Sequence, residues 1–199
     1  MSRTVVVTGI GATTPLADNA KDTWQAVLAG KSGVRTIESE WAEGLAVRFA
    51  GTIAVEPIDS GLERAKARRL DRGQQFALIA SREAWADAGA PEVDKTRLGV
   101  VYATGIGGIT SCIAQYEILK NEGPNRVSPM AVPMLMPNGP AAWVGLEFGA
   151  QAGVHTPVSA CASGAEAVAW GAKMIQEGRA DVVICGGTEV AIHALTISA

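Results

Sequence analysis

Val154-His155-Thr156-Pro157-Val158-Ser159-Ala160-Cys161-Ala162-Ser163-Gly164 is the stretch on which the fold turns. Residues 154–160 read as a strand, Cys161 stands at its end, and Ser163-Gly164 opens a helix that runs to Glu177 and stops before Gly178. This is a nucleophile-elbow arrangement. The free N–H groups and macrodipole of a helix start favour a thiolate, which suits a cysteine to acyl transfer, and a turn N–H can face the oxyanion of a tetrahedral intermediate. A lone cysteine is also commonly a small buried hydrophobe, and spacing by itself leaves both readings open.

Working outward, Val5-Val6-Val7, Leu98-Gly99-Val100-Val101-Tyr102 and Val182-Val183-Ile184-Cys185 are apolar runs without polar alternation, as expected of strands covered on both faces. Helical patterns separate them. One is capped by Asp18 and runs through Trp24 and Leu28 to Gly30, and another runs from about Asp71 through Phe76, Ile79 and Trp85 to Gly89. Thr110 to Glu122, and Gly139 to Phe148 with Pro140 in its first turn, add two more. Strands alternating with helices predict a parallel α/β sheet in one domain spanning 1–199. The helix after Cys161 carries Gly164, Ala165, Ala167, Val168, Ala169, Gly171 and Ala172 around most of its circumference, which predicts burial on all sides and points to protein beyond this chain.

Composition narrows the function. The 199 residues are 48% hydrophobic and 19% charged, enough to bury a core. No window approaches the ~18 consecutive apolar residues of a membrane span, and Met1-Ser2-Arg3 runs straight into the first apolar triplet, so a soluble, cytoplasmic protein without membrane association is expected. The three cysteines, Cys112, Cys161 and Cys185, form no Cys-x-x-Cys pair, which argues against a disulfide framework and against zinc. A formal charge of −3 gives no reason to expect nucleic acid. Within it, Glu63 to Arg72 holds five basic residues, Arg64, Lys66, Arg68, Arg69 and Arg72, against two acidic ones. A solvated helix face and a surface that steers an acidic partner are both compatible with that run.

Weaker glycine signals resolve against nucleotides. Gly9-Ile10-Gly11 follows a strand, but Thr14 stands where a dinucleotide fingerprint needs its third glycine, and Gly105-Ile106-Gly107-Gly108 lacks the lysine of a phosphate loop. A tight turn explains the first, and close backbone approach the second. Met130, Met134 and Met136 alternate with Pro129, Pro133 and Pro137, a pattern that suits either an adaptable apolar cavity or ordinary core and interface filling.

Val158-Ser159-Ala160-Cys161-Ala162-Ser163-Gly164 resembles the active-site segment of the β-ketoacyl synthases, the carbon–carbon bond-forming enzymes of fatty-acid synthesis. Val5-Val6-Val7-Thr8-Gly9-Ile10-Gly11, Thr104-Gly105-Ile106-Gly107-Gly108, Val132-Pro133 with Asn138, and Cys185-Gly186-Gly187-Thr188-Glu189 are similar to further segments of that family, in the same order. The likeness spans nearly the whole chain and is greatest to the elongating, actinobacterial type. It implies a thiolase-like fold: a mostly parallel five-stranded sheet with helices on both faces, the first of two half-domains. It also implies Cys161 as acyl acceptor, Ile106 at the acyl tunnel, Met130 and Ala131 near a partner subunit's acyl pocket in a homodimer, and acyl-carrier-protein docking at Arg68 and Arg69. Acyl and malonyl thioesters would be the substrates, and no metal or organic cofactor would be required. The family's two catalytic histidines belong to the second half, so His155 and His193 are expected to be structural, and the 199 residues alone are not expected to condense. A silent dimerisation or binding module, a coenzyme A thiolase and a cysteine hydrolase are the rival readings. Cys112 and Cys185 are expected to be inert packing residues.

Overall fold

The computed structural model describes residues 3–59 and 61–199; Met1 and Ser2, part of the amino-terminal reading above, lie outside them. In chain order the elements are α1 (Ala20–Leu28), β1 (Arg35–Thr36), β2 (Phe49–Ala50), α2 (Arg64–Ala67), α3 (Arg72–Asp87), β3 (Leu98–Ala103), α4 (Ile109–Glu122), α5 (Ala131–Leu135), α6 (Gly139–Phe148), β4 (Val154–His155), α7 (Ser163–Gln176), β5 (Val182–Gly187) and α8 (Ala194–Ser198), joined in places by short 3-10 turns. The strands β4, β3 and β5, in that order, form a parallel sheet in which Val100 stands opposite Val154 and Ile184. β1 and β2 make a separate antiparallel pair.

The central strand explains the layering. Successive side chains of a strand point to opposite faces. Val100 and Tyr102 accordingly pack with Leu78 of α3 and Val144 of α6, while Val101 and Ala103 pack with Ala167 and Met174 of α7. Every residue of β3 is buried, which is why its sequence shows no polar alternation. Full burial of a side chain such as Leu78 or Val144 contributes roughly 1.5–3 kcal/mol. Helices therefore cover both faces, and the α/β class stands.

α3 is fixed at its start by a capping box. Asp71 accepts from the Gly73 N–H (2.7 Å) and the Gln74 side chain accepts from the Asp71 N–H (3.1 Å). The same two residues tie in their neighbours: Ser111 Oγ of α4 donates to Asp71 (2.6 Å), and Gln74 Nε2 donates to Pro133 O of α5 (2.8 Å).

Four expectations need correction. The parallel sheet has three strands among the described residues, not five, and Val5-Val6-Val7 joins no ladder, with Val6 70% and Val7 75% exposed. The chain beyond that triplet is taken up by α3 instead, because Asp87 accepts from the Ile10 N–H (2.9 Å) and Glu83 from the Ala12 N–H (2.8 Å). A Cβ on Gly11 would lie 2.0 Å from Ala80 O, so glycine is what admits this contact. In the decisive stretch the ladder covers only Val154 and His155, because Pro157 offers no N–H and Ser159 turns away with ψ 46°. Asn19, not Asp18, caps α1, its side chain accepting from the Asp22 N–H. Finally, α7 packs on the sheet along one side only; Ala165, Val168 and Ala169 on its other side are exposed.

Candidate active site

Cys161 occupies the middle of a 3-10 turn, Ala160–Ala162, that leads directly into α7. The residue before it, Ala160, has φ +51°, a left-handed conformation that costs a non-glycine residue roughly 1–2 kcal/mol. Ser163 holds it there. Buried Ser163 donates its hydroxyl to Ala160 O (2.7 Å) and accepts from the Ser159 N–H (2.9 Å), closing the turn from both sides. The result is an exposed thiol next to the start of a helix that has no side-chain cap, where main-chain N–H groups lack intrahelical partners.

Across from the thiol stands the turn Thr104–Gly108 that follows β3. Gly105 comes so close that a Cβ on it would lie 3.3 Å from Ala160 O. Cys161, Ser163, Gly164 and Val168 on one side, and Thr104–Ile106 with Gly186–Glu189 on the other, line a cavity of about 740 Å³. It opens beyond the carboxyl ends of β3 and β5, where open parallel sheets place ligands. Such a site has an attacking thiol, backbone donors beside it and an apolar wall in Ile106 and Val168, which are the requirements for covalent acyl transfer.

The other two cysteines differ. Cys185 lies on β5 beneath α7, where a Cβ on Gly171 would fall 2.0 Å from its Sγ, and burial pushes its thiol up to about 11. Cys112 is half-buried within α4. Neither lines the cavity. His155 stacks on Trp170 (5.3 Å between ring centres) beside Arg179, and burial and that cation together lower its pKa. His193 caps α8 by accepting from the Leu195 N–H at Nδ1. Both histidines lie outside the cavity lining.

The basic run divides. Lys66 and Arg82 both pair with Glu147, and Arg72 pairs with Glu56. Burial works to raise the Glu147 carboxyl, but the hydrogen bonds from Lys66 and Arg82 outweigh it and hold it below the ordinary carboxylate value. Arg64, Arg68 and Arg69 are exposed and have no carboxylate partner among the described residues. Ile106 shares the cavity with Cys161. Met130 and Ala131, at the start of α5, are half-buried and stand outside its lining. Sequence reading quoted Glu189 without giving it a role, yet its carboxylate accepts from the Gly105 N–H (2.8 Å) and from Thr104 Oγ1 (3.2 Å). The available signal was its place just after a parallel strand. Among the described residues no cluster of His, Cys, Asp and Glu is placed to hold a metal ion, and no helix is long and apolar enough to cross a membrane.

A family model described as the N-terminal domain of β-ketoacyl synthase matches residues 2–199. The 3-oxoacyl-[acyl-carrier-protein] synthase 2 of Mycobacterium tuberculosis is 46% identical over 196 residues, covering 98% of this chain and 47% of that protein. The chain spans about half the length of the curated relatives it matches. Among solved structures, a β-ketoacyl synthase from Burkholderia phymatum superimposes with a TM-score of 0.81 at 29% identity, covering 99% of this chain and 49% of that one. A type II polyketide ketosynthase in complex with its acyl-carrier protein gives 0.80 at 20% identity, covering 98% and 54%, a likeness of fold alone.

Proposed function

The chain belongs to the β-ketoacyl synthase family, whose N-terminal domain it matches, and from that premise we propose that it is the nucleophile-bearing first half of an acyltransferase that elongates fatty acyl chains on acyl carrier protein. Cys161 Sγ adds to the thioester carbonyl of an acyl-carrier protein, and collapse of the tetrahedral intermediate expels the carrier thiol, which takes the proton that Cys161 loses. Malonyl-carrier protein then releases carbon dioxide, and the electron pair left on its α-carbon attacks the Cys161 thioester. Cys161 leaves as thiolate, and the product is a β-ketoacyl chain extended by a two-carbon unit. The histidines that assist the decarboxylation belong to the second half in this reading, and no metal or organic cofactor enters it.

One observation carries the proposal: the exposed thiol stands at an uncapped helix start and faces a glycine turn across an apolar cavity. The exposed cations Arg68 and Arg69, without a carboxylate partner among the described residues, support docking of an acidic carrier, and the ketosynthase of similar fold is itself found in complex with an acyl-carrier protein. We read Met130 and Ala131 as approaching the acyl pocket of a second copy in a homodimer, with the protein working in the cytoplasm. Incubation with acyl-carrier protein and with the corresponding acyl-coenzyme A, followed by peptide mapping, tests the assignment. The acyl group is expected on Cys161, faster from the carrier. An adduct on Cys112 or Cys185 overturns the nucleophile, and equal rates from both donors favour the coenzyme A thiolase reading.

A further inference from the structure

We propose that Glu189 is a positioning residue: it pins the glycine turn that carries Ile106 over Cys161 and thereby sets which acyl chain lengths the thiol accepts. The proposal rests on the reading of Cys161 as acyl acceptor and extends it to a residue that does not touch the reacting atoms.

The turn has little stiffness of its own. In Gly105-Ile106-Gly107-Gly108 three of four residues are glycine, which lose most conformational freedom when ordered. Ile106 is the single side chain it presents, and that side chain is 49% exposed at the cavity shared with Cys161. Order is imposed from outside. One oxygen of Glu189 accepts from the Gly105 N–H at 2.8 Å and the other from Thr104 Oγ1 at 3.2 Å, while Thr104 Oγ1 in turn accepts from the Gly107 N–H at 3.1 Å. A single carboxylate thus holds the two residues before Ile106 directly and reaches Gly107, beyond it, only through the Thr104 hydroxyl, and hydrogen bonds to a charged acceptor are the strong kind.

Glu189 is itself held. It follows β5, and the N–H of its neighbour Thr188 donates to Ala103 O (3.0 Å), prolonging the pairing of β5 with β3 past the last ladder residue. On the far side of the turn, Gly105 packs against Ala160, the residue before the nucleophile. The line of contact therefore runs from β5 through Glu189 and Gly105 to the Cys161 turn, with Ile106 projecting from its middle. An acyl chain on Cys161 meets Ile106 in the position this line dictates. Releasing the carboxylate frees Thr104 and Gly105, while the Gly108 N–H stays bound to Leu135 O of α5 (3.1 Å), so that Ile106, between a loosened and a fixed end, moves out of register with the thiol.

The test acylates the 199-residue chain with a short and a long acyl thioester of the same small thiol and maps the adduct. Discrimination between the two chain lengths is expected to fall by about tenfold in Glu189→Gln, the scale of one charge-assisted hydrogen bond. Ile106→Gly is expected to reduce discrimination in the parent background and to add nothing in Glu189→Gln, a non-additivity that general destabilisation does not produce. Should Glu189→Gln fail to fold, Glu189→Asp, which keeps the charge and shortens the reach, is read in the same way. Unchanged discrimination with the label on Cys161, or additive effects of the two substitutions, overturns the positioning role while leaving the acceptor assignment intact. No acylation of Cys161 in the unsubstituted chain overturns the acceptor reading, and this inference with it.

Discussion

At the amino end of the parallel sheet, Arg97 makes two hydrogen bonds to Asp181 (3.0 and 2.8 Å) and one to Gly178 O (3.0 Å), and Arg3 adds another to Asp181 (2.9 Å). At the carboxyl end the same strands finish in Thr104-Gly105 and Gly186-Gly187, with an exposed thiol and a cavity beyond them. One end is closed by a guanidinium–carboxylate fork with a second guanidinium on the same carboxylate. The other is held mainly by main-chain donors, one carboxylate and one serine hydroxyl, which leave space over the strands. The contrast teaches that this sheet carries its guanidinium–carboxylate pairing at the end where no cavity opens and is built from glycine and backbone donors at the end where one does.

Cys161→Ala breaks the contrast most completely. Rapid alkylation and acylation are expected to vanish, since Cys185 and Cys112 are both half-buried and burial raises the Cys185 thiol to about 11. Stoichiometric iodoacetamide labelling followed by peptide mapping checks this, and a label that persists at Cys185 would mean that α7 does not cover it.

Gly171→Ala tests the seal itself. The new methyl would meet Cys185 Sγ at 2.0 Å, so the thiol must turn aside or α7 must lift, at an overpacking cost of about 1–3 kcal/mol readable by urea unfolding. Adding Cys185→Ala is expected to restore part of the loss. An unchanged midpoint in the single variant would show that α7 does not seat as tightly as described.

Arg68→Glu with Arg69→Glu sharpens the contrast in the opposite direction, because among the described residues these cations have no carboxylate partner, where those at the sheet's amino end are paired. Transfer from carrier protein is expected to slow by about tenfold at low salt and less at physiological salt, where the Debye length is ~8 Å, while acylation by a small thioester persists. The comparison is best made in protein carrying both halves. Equal loss with both donors would point to damage to the fold, and no loss with either would return the patch to a solvated face.

The smallest effect belongs to the amino-end clamp. Arg97, aided by Arg3, holds the Asp181 carboxyl down to about 2, below its ordinary value of roughly 3.9. The sign follows: the contribution is complete above about pH 4 and disappears as pH falls towards 2. Asp181→Asn is expected to flatten the acid limb of stability across that window, measured by thermal unfolding at stepped pH. The pair is solvent-exposed, so the change is modest.

What the sequence revealed, it revealed through local rules. β3 was legible because both its faces are buried, and α3 because Asp71 and Gln74 spell a capping box whose partners lie within three residues. The helix stops were legible in Gly30, Gly89 and Gly178, all with positive φ. Cys161 was legible from its place before a small-residue helix. Val5-Val6-Val7 misled because the groups that hold the next residues, Glu83 and Asp87, come some seventy positions later. Glu189 stayed silent for the same reason: its partners are set by the register of β5 on β3, which no local pattern encodes. The open side of α7 was invisible because a small-residue helix reads alike whether one or both of its sides are covered.

The left-handed Ala160 has a mechanical consequence. Glycine there would relax the folded state and would also loosen the joint next to the thiol, while widening the unfolded ensemble. A methyl group denies the backbone most alternative angles, so the Ser163 clamp compresses a spring instead of steadying a slack hinge. The chain thereby accepts a less stable turn in return for a stiffer one, and the thiol is held to one place over the cavity.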